Sequence, residues 1–266
     1  KVLIIINTQD KNSKKLPRTI KNTIFKKQPL KFIALLILIL VLGTLLIKSY
    51  STFKDKNLAL SKFNNNFNEN ALTICIDPGH GDWDDGATGM DGALEKNINL
   101  NVSLKLGELL QNAGFNVVYT RNSDDLSLSD KEMDNLCQRV NISKENNADL
   151  FISIHCNTTD ESSSYNGIET WYNPKESNNE VFASIVQTEL SNLNYTQDRG
   201  IKSDSELVVL AKNDTTSVLV ELGFLSNSSD EKFLNSSSGQ TQCAKALFTA
   251  IKNASKAIFP SVESDT

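Results

Sequence analysis

The chain predicts an α/β domain, with a central mostly parallel or mixed sheet of about six strands flanked by helices. Two observations carry that prediction. Short apolar runs rich in Ile, Val, Phe and Tyr, bounded by Gly, Asn or Asp, recur from Ala71 onward. Between them lie longer segments with helical periodicity, and the alternation continues over about 190 residues. A chain of 266 residues can bury a sizeable core, and one main domain over 71–260 accounts for the pattern.

Taken in order, residues 1–31 form a basic arm with nine Lys/Arg against Asp10 alone, a charge of +8 within a total of -5. The rest is therefore acidic, at -13. An acidic domain with no basic stripe argues against nucleic acid as a partner and reads first as a soluble surface. The arm meets Phe32–Ile47, uncharged and almost wholly apolar. A helix of that length covers roughly 24 Å against a hydrocarbon core of about 30 Å. Lys31 and Lys48 can snorkel outward and Tyr50 can sit at the interface, so 32–48 is expected to be a membrane anchor. The positive arm stays cytoplasmic and everything after Lys48 lies outside. No small-x-small cleavage signature follows, which favours an uncleaved single-pass anchor; cleavage would instead give a secreted protein. Residues 49–70, ending in an asparagine-rich stretch, read as a polar linker.

The strand candidates are 72–77, 115–120, 149–155, 167–172, 207–211 and 217–222. The helix candidates are 95–113, 133–146, 178–192 and 239–257. In the first helix Ile98, Leu100, Val102, Leu104, Leu106, Leu109 and Leu110 fall mainly on one face, and Gly114 ends it because glycine accepts positive φ. Cys75 lies in a predicted buried strand, Cys156 follows a candidate ligand, and Cys137 and Cys243 fall on helices. These are positions for small buried side chains, and no C-x-x-C spacing suggests a thiolate metal site.

The chemistry starts from the histidines. The chain has two, and both stand where sheet strands end: His80 in Asp77-Pro78-Gly79-His80-Gly81-Asp82 after the first strand, and His155 closing the third. Glu95 opens the first helix, and Glu221 interrupts the apolar run of the last strand. In open α/β sheets sites gather beyond the carboxyl ends of the strands, so these four residues converge on one edge of the sheet. Two imidazoles and a carboxylate are the ligand set of a catalytic zinc with an open position, and a second carboxylate can be its general base. Each residue alone has a plainer explanation. Glu95 suits a helix N-terminus electrostatically, and Glu221 could sit in a buried ion pair, since a carboxylate among Val, Leu and Phe needs a partner or a function.

From about Leu72 to Ile258 the chain resembles the zinc-dependent N-acetylmuramoyl-L-alanine amidases of bacterial cell walls, the amidase 3 family. The resemblance rests on ordered motifs. The first is Asp77-Pro78-Gly79-His80-Gly81, with Gly86-Ala87, Glu95-Lys96 and Asn99-Leu100. The second is Arg139, then Ala148 to His155 with Asn157. Gly167, Glu169 and Thr170 form the third, and Val220 to Asn227 the last. The resemblance implies Zn2+ on His80, Glu95 and His155, with Glu221 as general acid/base. It also implies peptidoglycan as substrate, cut at the amide joining N-acetylmuramic acid to L-alanine. With two neutral imidazoles and one carboxylate the metal keeps a charge near +1, able to bring a bound water's pKa to about 7. Two departures stand out: Thr215-Thr216-Ser217 where relatives often carry a proline, and a short 156–167 stretch without the plugging insertion of some members. No tandem wall-binding repeats are evident, and no protein activator can be named. A silent wall-binding protein on the same fold, or another zinc hydrolase, remain the competing readings; the latter lacks an H-E-x-x-H helix.

Overall fold

A computed structural model of the chain describes residues 33, 43–44, 71–124 and 131–260. The chain divides into two compact units, Lys1–Asn66 and Phe67–Thr266. In the first, Ile33, Gly43 and Thr44 are helical; the basic arm, the rest of the expected anchor and the whole of the polar linker 49–70 lie outside the described residues. Among the described residues no helix is long and apolar enough to cross a membrane.

Among the described residues the second unit has six strands: β1 (Thr73–Pro78), β2 (Asn116–Tyr119), β3 (Leu150–Asn157), β4 (Ile168–Tyr172), β5 (Asp198–Ser203) and β6 (Thr216–Phe224). They form one sheet in the order β2-β1-β3-β6-β4-β5. Every neighbouring pair is parallel except β4 with β6, so the sheet is mixed. The helices are α1 (Glu95–Asn112), α2 (Glu132–Glu145), α3 (Ser177–Ser191), α4 (Val208–Ala211), α5 (Ser228–Leu234) and α6 (Ser237–Ile258).

The core sits mainly on one face of the sheet. Ile74 and Ile76 of β1, Ile152 and Ile154 of β3, and Val218, Val220 and Leu222 of β6 are fully buried there under α1, α3 and α6. Such near-continuous apolar runs are what strands covered on both faces require. The opposite face carries a smaller cluster: Cys75, Phe151 and Leu219 packed by Val140 of α2 and Val209 and Leu210 of α4. On that face the carboxyl ends of β3 and β6 reach half-buried residues instead of core.

One expectation is corrected, and two elements carry no expectation from the sequence. Residues 207–211 are not a strand. Asp204 Oδ1 accepts from the amides of Glu206 and Leu207, and the run then closes one helical turn, with Ala211 N donating to Leu207 O at 2.7 Å. A short unbroken apolar run has no periodicity to separate strand from helix. The sixth strand is β5, whose sequence Asp-Arg-Gly-Ile-Lys-Ser shows one apolar residue; it is an edge strand bonded to β4 alone, and pairing imposes its conformation. α5 was not anticipated, although Asn227 caps it by accepting from the amides of Ser229 and Asp230.

In α1 the buried stripe is Ile98, Val102, Leu106 and Leu110, spaced four apart, while Leu104 is exposed and Leu100 and Leu109 are half-buried. Its end is as expected, with Gly114 at φ 90°. Cys75, Cys156 and Cys243 are buried free thiols and Cys137 is half-buried.

Candidate metal centre

The loop leaving β1 is braced by groups from several other elements. Gly79 N donates to Ile154 O at 2.9 Å, tying the loop to β3. Its next carbonyls are held by two buried arginines. Arg139 donates to Pro78 O and His80 O, each at 2.9 Å, and Arg121 donates to Pro78 O and Gly79 O, each at 2.9 Å. Arg139 is fixed by a 2.8 Å ion pair to Asp77, which also accepts from Thr120 and Ser153. Burial works against charge on Asp77, but Arg139 and these hydrogen bonds win and hold its carboxyl below the usual range. Lys96 clamps the following turn, donating to Asp82 O at 2.7 Å and pairing with Asp85 and Asp124. Within this scaffold His80 adopts φ 60°, a left-handed conformation unusual for a non-glycine residue.

That conformation brings the imidazole to Glu95 and His155. His80 Nε2 lies 3.2 Å and His155 Nδ1 3.0 Å from Glu95 Oε1, and the ring centroids are 4.8 Å apart. One ligand atom from each of the three residues falls within 4.8 Å of the others. Glu95 is oriented from all sides: Oε1 also accepts from Cys156 N and Asn99 Nδ2, and Oε2 accepts from Ala87 N at 2.8 Å. His80 Nδ1 is bonded to Asp84 Oδ2 at 2.7 Å. With Nδ1–H donating there, the Nε2 lone pair is left for a cation. Two glycines make room for the cluster. A Cβ at Gly79 would lie 2.2 Å from the His155 ring, and one at Gly86 2.6 Å from Glu95 Oε2.

The electrostatics suit a cation. Burial would push Glu95 up, but the two imidazoles hold its carboxyl well below the usual carboxylate range. Burial would likewise lower His80, yet the hydrogen bonds and charges of Glu95 and Asp84 raise it to about 9. A cation bound there would displace the proton that this pairing favours on His80. The donor set, the glycine cradle and the carboxylate behind His80 all fit a zinc ion.

Glu221 joins from the neighbouring strand. It is paired in register with His155 of β3 on one side and Glu169 of β4 on the other. Its Oε2 is sealed from solvent and finds no hydrogen-bond partner among the described residues. Burial, reinforced by the charges of Glu95 and Glu169 and opposed by His155 and His80, pushes its carboxyl up to about 7. The ion pair considered from sequence is therefore absent among the described residues; the carboxylate is poised to exchange a proton near neutral pH. Beside the two imidazoles opens a cavity of about 230 Å³, walled by Trp83, Asp84, Asn135, Leu136, Leu207 and Val209 among others.

All four residues singled out from sequence thus meet at one place. Sequence reasoning missed Asp84 and Arg121. Asp84 is a carboxylate four residues beyond a histidine in a glycine-rich loop, a usable signal. Arg121 follows a strand with no pattern around it.

Against known proteins, a family profile described as N-acetylmuramoyl-L-alanine amidase matches residues 74–253. YqiI of Bacillus subtilis is 40% identical over 181 residues, covering 67% of this chain and 82% of that protein. The N-acetylmuramoyl-L-alanine amidase LytC of the same organism is 38% identical over 177 residues; the match covers 66% of this chain and 34% of LytC. The solved CwlD amidase from Clostridioides difficile, in complex with the GerS lipoprotein, superposes with a TM-score of 0.64 at 32% identity, covering 70% of this chain and 99% of that one.

Proposed function

The chain belongs to the amidase 3 family and is an N-acetylmuramoyl-L-alanine amidase, and from that premise we propose a zinc-dependent reaction in which His80, Glu95 and His155 hold the ion and Glu221 moves the proton. The observation that carries this reading is the unpartnered Oε2 of Glu221, set in register beside His155. When bound, the ion supplies Lewis acidity, polarising the scissile carbonyl and making a water acidic enough to lose its proton near neutral pH. Glu221 takes that proton and later returns it to the amine of the departing L-alanine. The C–N bond between the lactyl carbonyl and L-alanine breaks, leaving a lactyl carboxylate and a free peptide amine. Asp84 keeps His80 in the tautomer that presents Nε2, and the arginine-braced loop keeps the ring in place. The 230 Å³ cavity reaches both imidazoles, so substrate has an approach. Intact wall sacculi treated with the zinc-loaded protein are expected to release free stem peptides beginning with L-alanine, read by mass spectrometry. Cleavage within the stem or the glycan instead would overturn the assignment.

Metal content provides a separate check. The purified protein should hold about one zinc per chain. His80→Ala and His155→Ala should lose most of it, and Glu95→Gln should weaken it because a neutral amide is a poor ligand. Full retention in either histidine variant, by elemental analysis, counts against these ligands.

The proposal extends to placement. The basic arm and the apolar run 32–48 suit a single-pass anchor that holds the catalytic unit outside the cytoplasmic membrane, against the wall it remodels. An alkaline-phosphatase fusion after Tyr50 should be active and one at Arg18 inactive. The opposite pattern would reject the anchor.

A further inference from the structure

Beyond the four proton- and metal-handling residues, the row across the sheet continues. His155 of β3 faces Glu221 of β6, which faces Glu169 of β4. β4 then meets β5 at a bulge, where Ile168 pairs with Asp198 and Thr170 with Ile201, so Arg199 and Gly200 stand opposite Glu169. Glu169 is 2% exposed and accepts from Asn157 Nδ2 at 2.6 Å, from Arg199 Nε at 3.0 Å and from Lys202 Nζ. Two cations on one carboxylate leave a surplus positive charge beside the reacting centre.

Those cations are held firmly yet remain accessible. The Arg199 guanidinium lies 5.0 Å from the Phe224 ring and 5.8 Å from that of Tyr165, and Lys202 Nζ lies 5.1 Å from the ring of Trp171. Aromatic faces fix such cations without consuming their donors. Their side chains are 24% and 34% exposed. Arg199 uses Nε on Glu169 and Nη1 on Asn166 O, and Nη2 has no acceptor among the described residues. Lys202 spends one of three donors on Glu169. A preorganised cation pair with unused donors is a receptor for an anion.

Distance selects which anion. Both cationic heads sit on Glu169 of β4, and strands are spaced about 4.8 Å apart, so the cations lie two spacings, about 10 Å, from His155 on β3. An extended peptide advances at most about 3.5 Å per residue. A group on the second residue of the leaving peptide therefore reaches the cations while the scissile bond sits at the metal centre.

We propose that Arg199 and Lys202, oriented by Glu169, form a subsite for a free carboxylate on the second residue of the stem peptide, making the enzyme discriminate against stems amidated there. This rests on the amidase reading above. The test uses two sets of glycan strands whose stems differ only at the second residue, D-glutamate against D-isoglutamine. The zinc-loaded protein is expected to prefer the carboxylate in kcat/KM by about tenfold or more, the effect of a charge-assisted hydrogen bond. Lys202→Gln keeps a donor toward Glu169 but removes the charge, and should collapse the ratio toward one; Lys202→Arg should restore it. A merely structural lysine would lower both rates together and leave the ratio intact, which would overturn the subsite. Equal rates on the two stems by the unaltered protein would overturn it as well, with the amidase reading untouched. Cleavage of neither would remove the amidase reading and this subsite with it.

Discussion

Glu221→Gln is expected to lower turnover on peptidoglycan by about 10²–10⁴-fold while the protein folds and keeps the zinc proposed for it. Glutamine is nearly isosteric, so the packing of β6 against β3 and β4 is preserved. The lost property is the ability to accept a proton at an oxygen that is buried and without a partner among the described residues. The pH profile should carry the same mark. A base must be deprotonated to act, so kcat/KM should rise on the acid side through the pKa of Glu221, which burial pushes up to about 7 and a bound cation draws lower. That limb should vanish from the residual activity of Glu221→Gln.

A stability measurement on the zinc-free protein gives an independent reading. Between the ordinary glutamate value, about 4.3, and about 7, folded Glu221 holds a proton that the unfolded chain has released. Its favourable contribution is therefore complete at low pH and is lost as pH rises through 7. Glu221→Gln, which cannot ionise, should gain stability relative to the parent as pH is raised from 5 to 8. An amidase that keeps full activity with glutamine at this position would dispose of the mechanism. A variant that loses its zinc would show that Glu221 is a ligand.

The largest stability effect is expected at Arg139. It is 3% exposed, and its partner Asp77 is 1% exposed. Replacing Arg139 with Met leaves a buried carboxylate without its cation, which costs about 3–5 kcal/mol. The carbonyls of Pro78 and His80 lose a donor as well. The double variant Asp77→Leu with Arg139→Met removes both charges and should recover part of the loss, since no bare charge remains. Acid sensitivity should change in a defined direction. Asp77 is held below its ordinary value, so its contribution is present above about pH 4 and is lost as pH falls through the folded value. In Arg139→Met that acid-side loss should shrink. Denaturant melts placing the single variant within about 0.5 kcal/mol of the parent would show that the pair contributes nothing. Its activity should fall too, because the left-handed turn at His80 loses a brace.

What could be read from the chain, and what could not, follows physical lines. The central strands β1, β3 and β6 were placed within two residues of their ends, because burial on both faces demands runs such as Phe151-Ile152-Ser153-Ile154. The edge strand β5 has no such demand on its side chains, so Arg199-Gly200-Ile201-Lys202 carries almost no strand signal. Leu207 to Ala211 carries a strand-like signal and is a helical turn, because the Asp204 cap outweighs apolar content.

The same division runs through the site. Two histidines at strand ends, a glutamate opening a helix and another inside an apolar strand are visible in the linear order, because metal and proton chemistry restrict which residue types can serve. The linear order also implies their meeting, since parallel strands deliver their carboxyl ends to one edge. Tertiary structure alone decided that Asp84 backs His80, that Arg121 and Arg139 hold the loop carbonyls, and that Glu221 Oε2, beside Glu169, finds no hydrogen-bond partner among the described residues. Those are relations between residues up to 61 positions apart. They depend on register, loop conformation and the burial of individual atoms, and no spacing along the chain encodes them.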